Sequence, residues 1–121
     1  MTSIRQVQVT FDCAEPERLA RFWCEVLGYV QSEDSCSDPS GVGPRLYFQR
    51  VPEGKIVKNR VHLDVRVGTG LVGEERLAAL EAECVRLEAL GAVRGQLLLA
   101  DEENESCQNM QDIEGNEFCL D

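Results

Sequence analysis

Side chains that can transfer a proton occupy alternate positions of a predicted strand in the middle of the chain. His62 and Asp64 stand two residues apart in Val61–Val67, where apolar and polar residues alternate. Alternation at period two predicts a strand, and residues two apart on a strand point to the same face. If that face lines a cleft, His62 can act as an acid or base and Asp64 as a base. Otherwise both are polar groups that pair with neighbouring strands.

A similar strand lies near the N-terminus. Residues 7–12 also alternate, and their polar positions are Gln8, Thr10 and Asp12. We predict that Gln8 and Asp12 face the same cleft and contact a ligand, with Asp12 as a second candidate base. The alternative is that Asp12 only caps the turn into the helix that follows.

Further candidates lie on later strands. Glu117 is two residues before Cys119 and shares its face. A carboxylate in an apolar cleft would have a raised pKa and suit general catalysis, whereas Glu117 on an exposed strand would not. Tyr47 would donate a hydrogen bond to a ligand or be a half-buried aromatic residue. Cys119 as a nucleophile would need a base, and His62 could approach it across the cleft.

Two similar runs of elements are predicted to position these side chains. The first comprises a strand at 7–12, a helix from Pro16 to a cap at Gly28, an extended segment at 29–31, a loop at 32–44 that includes a short strand, and a strand at 46–51. The second comprises a strand at 61–67, a helix from about Glu74 to a cap at Gly91, an extended segment at 96–99, an acidic loop at 101–105, a strand at 108–111, a turn at 114–116 and a strand at 117–120. The repeated order predicts two halves that pair around a groove. Trp23, on the apolar stripe of the first helix, is predicted to lie in the core.

Composition excludes several classes of partner. The formal net charge of -10 would repel a nucleic-acid backbone, and no basic amphipathic segment favours a membrane surface. The one basic cluster, around Lys58, would attract an anionic ligand or be a solvated loop. No apolar leader is visible, so a cytoplasmic location is expected, where the six cysteines would be reduced thiols.

The chain resembles the glyoxalase-like, or vicinal oxygen chelate, family. The resemblance rests on Asp12-Cys-Ala-Glu-Pro16, Leu19-Ala-Arg-Phe-Trp23, Lys58-Asn-Arg-Val-His-Leu-Asp64, Leu90-Gly-Ala92 and Asp112-Ile-Glu-Gly-Asn-Glu-Phe-Cys119. It implies an α+β fold of two βαβββ modules, at about 4–52 and 59–121, which form one domain over residues 1–121. Their mixed sheet would enclose the cleft.

The resemblance also implies a place for a divalent ion. Metal enzymes of this family hold the ion with side chains on the first and last strands of each half. Those positions fall on Gln8 and His62, which fit, and on Gln49 and Cys119, which replace carboxylates. Hard ions prefer charged oxygen ligands, so a metal is not favoured, although Zn²⁺ or Ni²⁺ would accept His62 and a Cys119 thiolate.

The resulting hypothesis is a glyoxalase-like protein that forms a homodimer and binds a small oxygen-rich organic molecule. As an enzyme it would be a lyase or isomerase that transfers protons through His62, Asp64 or Glu117, while Gln8, Asp12, Tyr47, Gln49 and Cys119 would contact the ligand. The alternative is a non-catalytic protein that sequesters a drug or metabolite, as bleomycin-resistance proteins do. An extradiol-dioxygenase-like iron enzyme is disfavoured, because its two-histidine triad needs more than the single histidine present.

Overall fold

A computed structural model describes residues 3–121, which divide into two compact units at residues 3–54 and 55–121. Each unit contains one helix and a four-stranded mixed sheet. The predicted α+β fold of two βαβββ modules is therefore confirmed, and the boundary between the units falls within the segment that separates the predicted modules. That the whole chain acts as one domain stays a prediction. Among the described residues, no helix is long and apolar enough to cross a bilayer.

The first unit packs its helix on one face of its sheet. Its elements are β1 (Gln8–Cys13), α1 (Pro16–Leu27), β2 (Val30–Ser32), β3 (Ser35–Ser37) and β4 (Arg45–Arg50). The sheet order is β1-β4-β3-β2, and β1 runs parallel to β4. Parallel neighbours need a long connection between them, and α1, β2 and β3 supply it here.

Local signals explain α1. Pro16 occupies the first turn, where its missing N–H is not needed, and Gly28 ends the helix in the left-handed conformation with a φ of 69°. Trp23 on the buried face is fully inaccessible and lies 5.3 Å from the Phe11 ring on β1. The prediction that Trp23 is a core residue is confirmed.

The second unit repeats this order with a longer helix. Its elements are β5 (Asp64–Val65), α2 (Gly73–Ala89), β6 (Val93–Leu98), β7 (Cys107–Gln111) and β8 (Glu117–Leu120). The sheet order is β5-β8-β7-β6, with β5 parallel to β8. After α2, Gly91 adopts a φ of 107°, as expected for a residue that reverses the chain beyond a helix.

The strand predicted at 61–67 is the main difference from expectation, because only Asp64–Val65 forms regular ladder pairs. β5 lies at the edge of its sheet and pairs only with the four-residue β8. Alternation in sequence shows which side chains share a face. The length of a strand is set by its partner.

The two faces of the second sheet differ in composition. Phe118, Leu120 and Met110 are buried on the face that packs against α2. The intervening residues of β7 and β8 point the other way, because side chains alternate along a strand. This second face, which we call the open face, carries Cys107, Asn109, Glu117 and Cys119.

Two cysteines depart from the expectation of reduced thiols. Cys24 on α1 and Cys36 on β3 form a disulfide, with Cα atoms 5.7 Å apart. The packing of α1 on β3 brings them within the range that a disulfide requires. The other four are thiols, of which two are buried and two are half-buried: Cys13, Cys84, Cys107 and Cys119.

Candidate functional site

The open face of the second sheet gathers three reactive side chains. The Nε2 atom of His62 lies 3.2 Å from Oδ1 of Asp64, and the two side chains are 43% and 50% exposed. The parallel register of β5 and β8 places Asp64 beside Cys119. Metal-ligating atoms of His62, Asp64 and Cys119 all lie within 4.8 Å of one another. The structure therefore brings together His62, Asp64 and Cys119, three of the residues selected from the sequence.

The Cys119 thiol is in a setting that disfavours the thiolate. Its Sγ donates to Oδ1 of Asn109 at 3.1 Å. The pKa of Cys119 is raised to about 11, mainly by burial and also by Cys107, Asp64 and Asp121, while Lys58 opposes the rise. A protonated thiol is a weak nucleophile. His62 lies in the same unit as Cys119, so the expected approach across a cleft between halves is wrong.

The Glu117 carboxylate binds residues 55–59, a segment distant in sequence. Its Oε1 accepts the backbone N–H of Asn59 at 2.8 Å and lies 3.0 Å from Nζ of Lys55. The Asn59 N–H lowers the pKa of Glu117, and Lys55 lowers it further. The expected raised pKa is therefore wrong, since the carboxylate is a stabilised anion that holds residues 55–59 against β8.

The remaining predicted residues lie in the first unit, on the sheet face opposite α1. The register pairs Gln8 with Arg45 and Asp12 with Gln49. Gln8 and Gln49 are thus four positions apart on the paired strands, or about 13 Å. Nη1 of Arg45 donates to Oε1 of Gln8 at 2.6 Å, and the Arg45 guanidinium lies 5.5 Å from the centre of the Tyr47 ring.

The register of the paired strands also corrects which residues of the two units correspond. Asp12 pairs with Gln49 in the first unit and Asp64 pairs with Cys119 in the second. If Gln49 and Cys119 correspond, Asp12 corresponds to Asp64, and the counterpart of His62 is Thr10. The assignment of Gln8 as the counterpart of His62 is wrong. Direct alignment of Val9-Thr-Phe-Asp12 with Val61-His-Leu-Asp64 would have found the correct pairing.

The donor atoms indicate which ion the chain would suit. Gln8 does not fit a divalent ion, because a guanidinium already occupies its amide oxygen. The second unit offers an imidazole, a carboxylate and a thiol in one cluster. This donor set suits Zn²⁺ and other ions that accept sulfur, and suits Mg²⁺ poorly.

A hollow of ≈ 490 Å³ lies on the open face. Its apolar wall includes Val93 and Leu98, and its polar residues include Lys58, His62, Asn109 and Cys119. A second hollow of ≈ 880 Å³ shares His62, Cys107 and Cys119 and is bordered by acidic residues. Sequence reasoning missed Asn109 and Cys107, although their alternation on the strand before the last turn was a signal that they share a face.

Comparison with known proteins gives one family. A model of the glyoxalase-like domain matches residues 8–120. No curated protein matches the chain. A mutant of the fosfomycin resistance protein FosX from Listeria monocytogenes, complexed with Mn(II) and 1S,2S-dihydroxypropylphosphonic acid, has a TM-score of 0.73 at 10% identity, covering 99% of this chain and 90% of that one.

Two other solved structures are similar. A glyoxalase/bleomycin resistance protein/dioxygenase family enzyme from Burkholderia phytofirmans has a TM-score of 0.68 at 15% identity, covering 93% of this chain and 94% of that one. FosX from Mesorhizobium loti has a TM-score of 0.65 at 13% identity, covering 98% and 92%. Identities this low show a shared fold and leave the chemistry to be argued from this chain's own residues.

Proposed function

The chain belongs to the glyoxalase-like domain family, and on that premise we propose that it binds a small organic molecule with oxygen-bearing groups on the open face of its second unit. The observation that carries the proposal is the ≈ 490 Å³ hollow, whose apolar wall adjoins a cluster of polar side chains. Ligand sites in proteins have this size and this combination of surfaces.

The polar residues define which ligand groups would bind. Asn109 accepts a hydrogen bond from Cys119 through Oδ1, which leaves its amide NH₂ to donate. The His62 ring and the Lys58 ammonium are further donors on the same wall. Ligand oxygens would take these donors, and an apolar part of the ligand would cover Val93 and Leu98. This arrangement favours carbonyl, hydroxyl or acidic oxygen atoms at one end of the ligand.

Proton transfer, of the lyase or isomerase type, is a second candidate. The contact of 3.2 Å between His62 and Asp64 favours it, because a carboxylate orients an imidazole for acid or base chemistry. Glu117 is the weaker candidate, since Asn59 and Lys55 already bind its carboxylate. Binding without catalysis, as in a sequestering protein, is the simpler form of the proposal.

Ligand binding at the polar face of the first unit stays a prediction. Gln8, Asp12, Tyr47 and Gln49 are proposed to contact ligand from their own sheet, with Arg45 beside Gln8 as an added cation. A cytoplasmic location likewise stays a prediction. A homodimer is also proposed, and the exposed apolar side chains of the edge strand β6, including Val93 and Leu97, support it. Light scattering coupled to size exclusion measures the assembly.

Nuclear magnetic resonance with a ligand panel tests the main proposal. The panel contains small diols, hydroxyacids and diketones, together with the dihydroxypropylphosphonic acid bound in the FosX structure. Ligand-induced shifts are expected in the amides of β6, β7 and β8. Leu98→Asp should weaken binding about tenfold or more by placing a charge on the apolar wall.

Two carboxylate variants provide a matched comparison. Asp64→Asn and Glu83→Gln each remove the charge of one paired carboxylate in the second unit, but Glu83 pairs with Arg86 on α2. Asp64→Asn should change ligand affinity and Glu83→Gln should not. Solvent deuterium exchange into a bound ligand, lost in His62→Ala, would identify proton transfer. Binding that moves only first-unit resonances, or a panel without any binder, would overturn the proposed site.

A further inference from the structure

We propose that His62, Asp64, Cys107 and Cys119 form a binding site for one thiophilic divalent cation, such as Zn²⁺, within the second unit. The inference goes beyond ligand binding and does not rest on it. It also differs from the site implied by the family resemblance, since it omits Gln8 and Gln49 and adds two donors, Asp64 and Cys107.

The distances are close to those of a metal site. Three of the donor atoms lie within 4.8 Å of one another. In a tetrahedral zinc site, nitrogen, oxygen and sulfur ligands lie roughly 3.3–3.8 Å apart, given metal–ligand bonds of about 2.0–2.3 Å. These three donors therefore need to move by about 1 Å or less, and the Cys107 thiol, which lies outside this cluster, would have to turn toward them. The exposed side chains of His62 and Asp64 can do so by rotation, without movement of the backbone.

Cys107 supplies the fourth donor. Asn109 pairs with Cys119 across the antiparallel strands, and Cys107 is two residues before Asn109, so it shares the open face. Both thiols are half-buried, and Cys107 lines the ≈ 880 Å³ hollow together with His62, Asp64 and Cys119. Two sulfurs, one imidazole and one carboxylate form a four-donor set that selects ions accepting sulfur over Mg²⁺ and Ca²⁺.

The charge around the cluster favours a cation. Five carboxylate side chains border the larger hollow beside the thiols: Asp64, Asp101, Glu103, Glu105 and Asp121. Arg66 and Arg76 also line it, but each lies beside one of these carboxylates, at 2.9 and 3.1 Å. Binding would release one proton from each thiol to solvent and form two metal–sulfur bonds, with no change of oxidation state.

Cobalt titration tests the proposal, because Co²⁺ takes zinc sites and reports its ligands through absorption. The full chain is desalted under argon without reductant, which leaves the Cys24–Cys36 disulfide intact. We expect one Co²⁺ per chain, with near-ultraviolet thiolate-to-metal charge transfer and visible bands of tetrahedral geometry. Equimolar Zn²⁺ should displace it, and excess Mg²⁺ should not.

Serine variants identify the ligands. Cys119→Ser and Cys107→Ser should each lose about half of the charge-transfer intensity, since each removes one of two thiolates. Cys13→Ser, which changes a buried thiol in the first unit, should keep the full charge-transfer intensity. His62→Gln, an exposed change with little effect on folding, should shift the visible bands. Circular dichroism confirms that each variant is folded.

The outcomes are decisive for the site. No thiolate band in the wild-type protein, or a full band in Cys119→Ser, would overturn it. A full band in Cys107→Ser alone would overturn the four-donor arrangement. Since no organic ligand is present in the titration, failure here leaves the proposed small-molecule function to its own test.

Discussion

Replacing Asp112 by alanine is predicted to lower the free energy of unfolding by about 3–4 kcal/mol. Asp112 lies in the turn between β7 and β8 and is 1% exposed. Its Oδ1 accepts the backbone N–H groups of Glu114 at 2.8 Å and of Asn116 at 3.0 Å, and the Asn116 side-chain amide binds Oδ2 at 2.9 Å.

The magnitude follows from the two backbone donors. A hydrogen bond to a charged group contributes about 1.5–3 kcal/mol, and a buried donor left without its acceptor costs a similar amount. Glu114 is half-buried, so water can replace part of the hydrogen bond that its backbone N–H loses. Asn116 is buried, so its N–H would be left without an acceptor. Two bonds near the lower half of that range give the predicted value, a substantial share of the stability of a small protein.

Urea denaturation followed by far-ultraviolet circular dichroism measures the change, as a shift in midpoint at constant slope. Asp112→Asn keeps an acceptor oxygen and should lose less stability than Asp112→Ala. Asp101→Ala is the matched control, because Asp101 accepts two backbone N–H groups at 2.8 and 2.7 Å in an exposed loop. If Asp112→Ala destabilises no more than Asp101→Ala, the reasoning from burial is refuted.

Two other changes test the backbone and the electrostatics. Gly91→Ala should lower the free energy of unfolding by about 2–3 kcal/mol, because Gly91 has a φ of 107° and an added Cβ would lie 2.9 Å from Cγ2 of Ile113. Gly54→Ala is the control, because an added Cβ there has no atom within 4 Å and should change the thermal midpoint little. Equal shifts of the midpoint in the two variants would contradict this account. The pKa of Asp38 lies below its ordinary value because the Ser40 hydroxyl and nearby backbone N–H groups donate to it. Its stabilising effect is present above the ordinary pKa and is lost as pH falls through the lowered value. Ser40→Ala should raise this pKa in an NMR titration of the carboxyl carbon, and an unchanged titration would rule out the hydroxyl as its main cause.

The sequence predicted the elements whose signals are local. Pro16, Gly28 and an apolar stripe determine α1, and the structure places the helix between those two residues. The length of β5 has no local signal, because it depends on a partner strand more than fifty residues later. The Cys24–Cys36 disulfide was missed for a related reason, since it depends on how α1 packs against β3.

The candidate site was predictable in part. Alternation indicated that His62 and Asp64 share a face, and the structure shows them in contact. Counting from the first helix gave Gln8 as the counterpart of His62, whereas the register across the sheet gives Thr10. The pKa of Glu117 was expected to rise because only its own strand was considered, and a backbone N–H from Asn59 reverses the direction.

The parallel pairing of first and last strands has a consequence during synthesis of the chain. β1 pairs with β4, and β5 pairs with β8, so each sheet is completed by its own final strand. On the ribosome, the first unit can close once Arg50 has emerged, but the second must wait for Leu120. Until then β5 has no ladder partner, and Asp64 has no Cys119 beside it. Contacts this distant in sequence form slowly, so the open face is assembled late, after the helices and the β6–β7 hairpin.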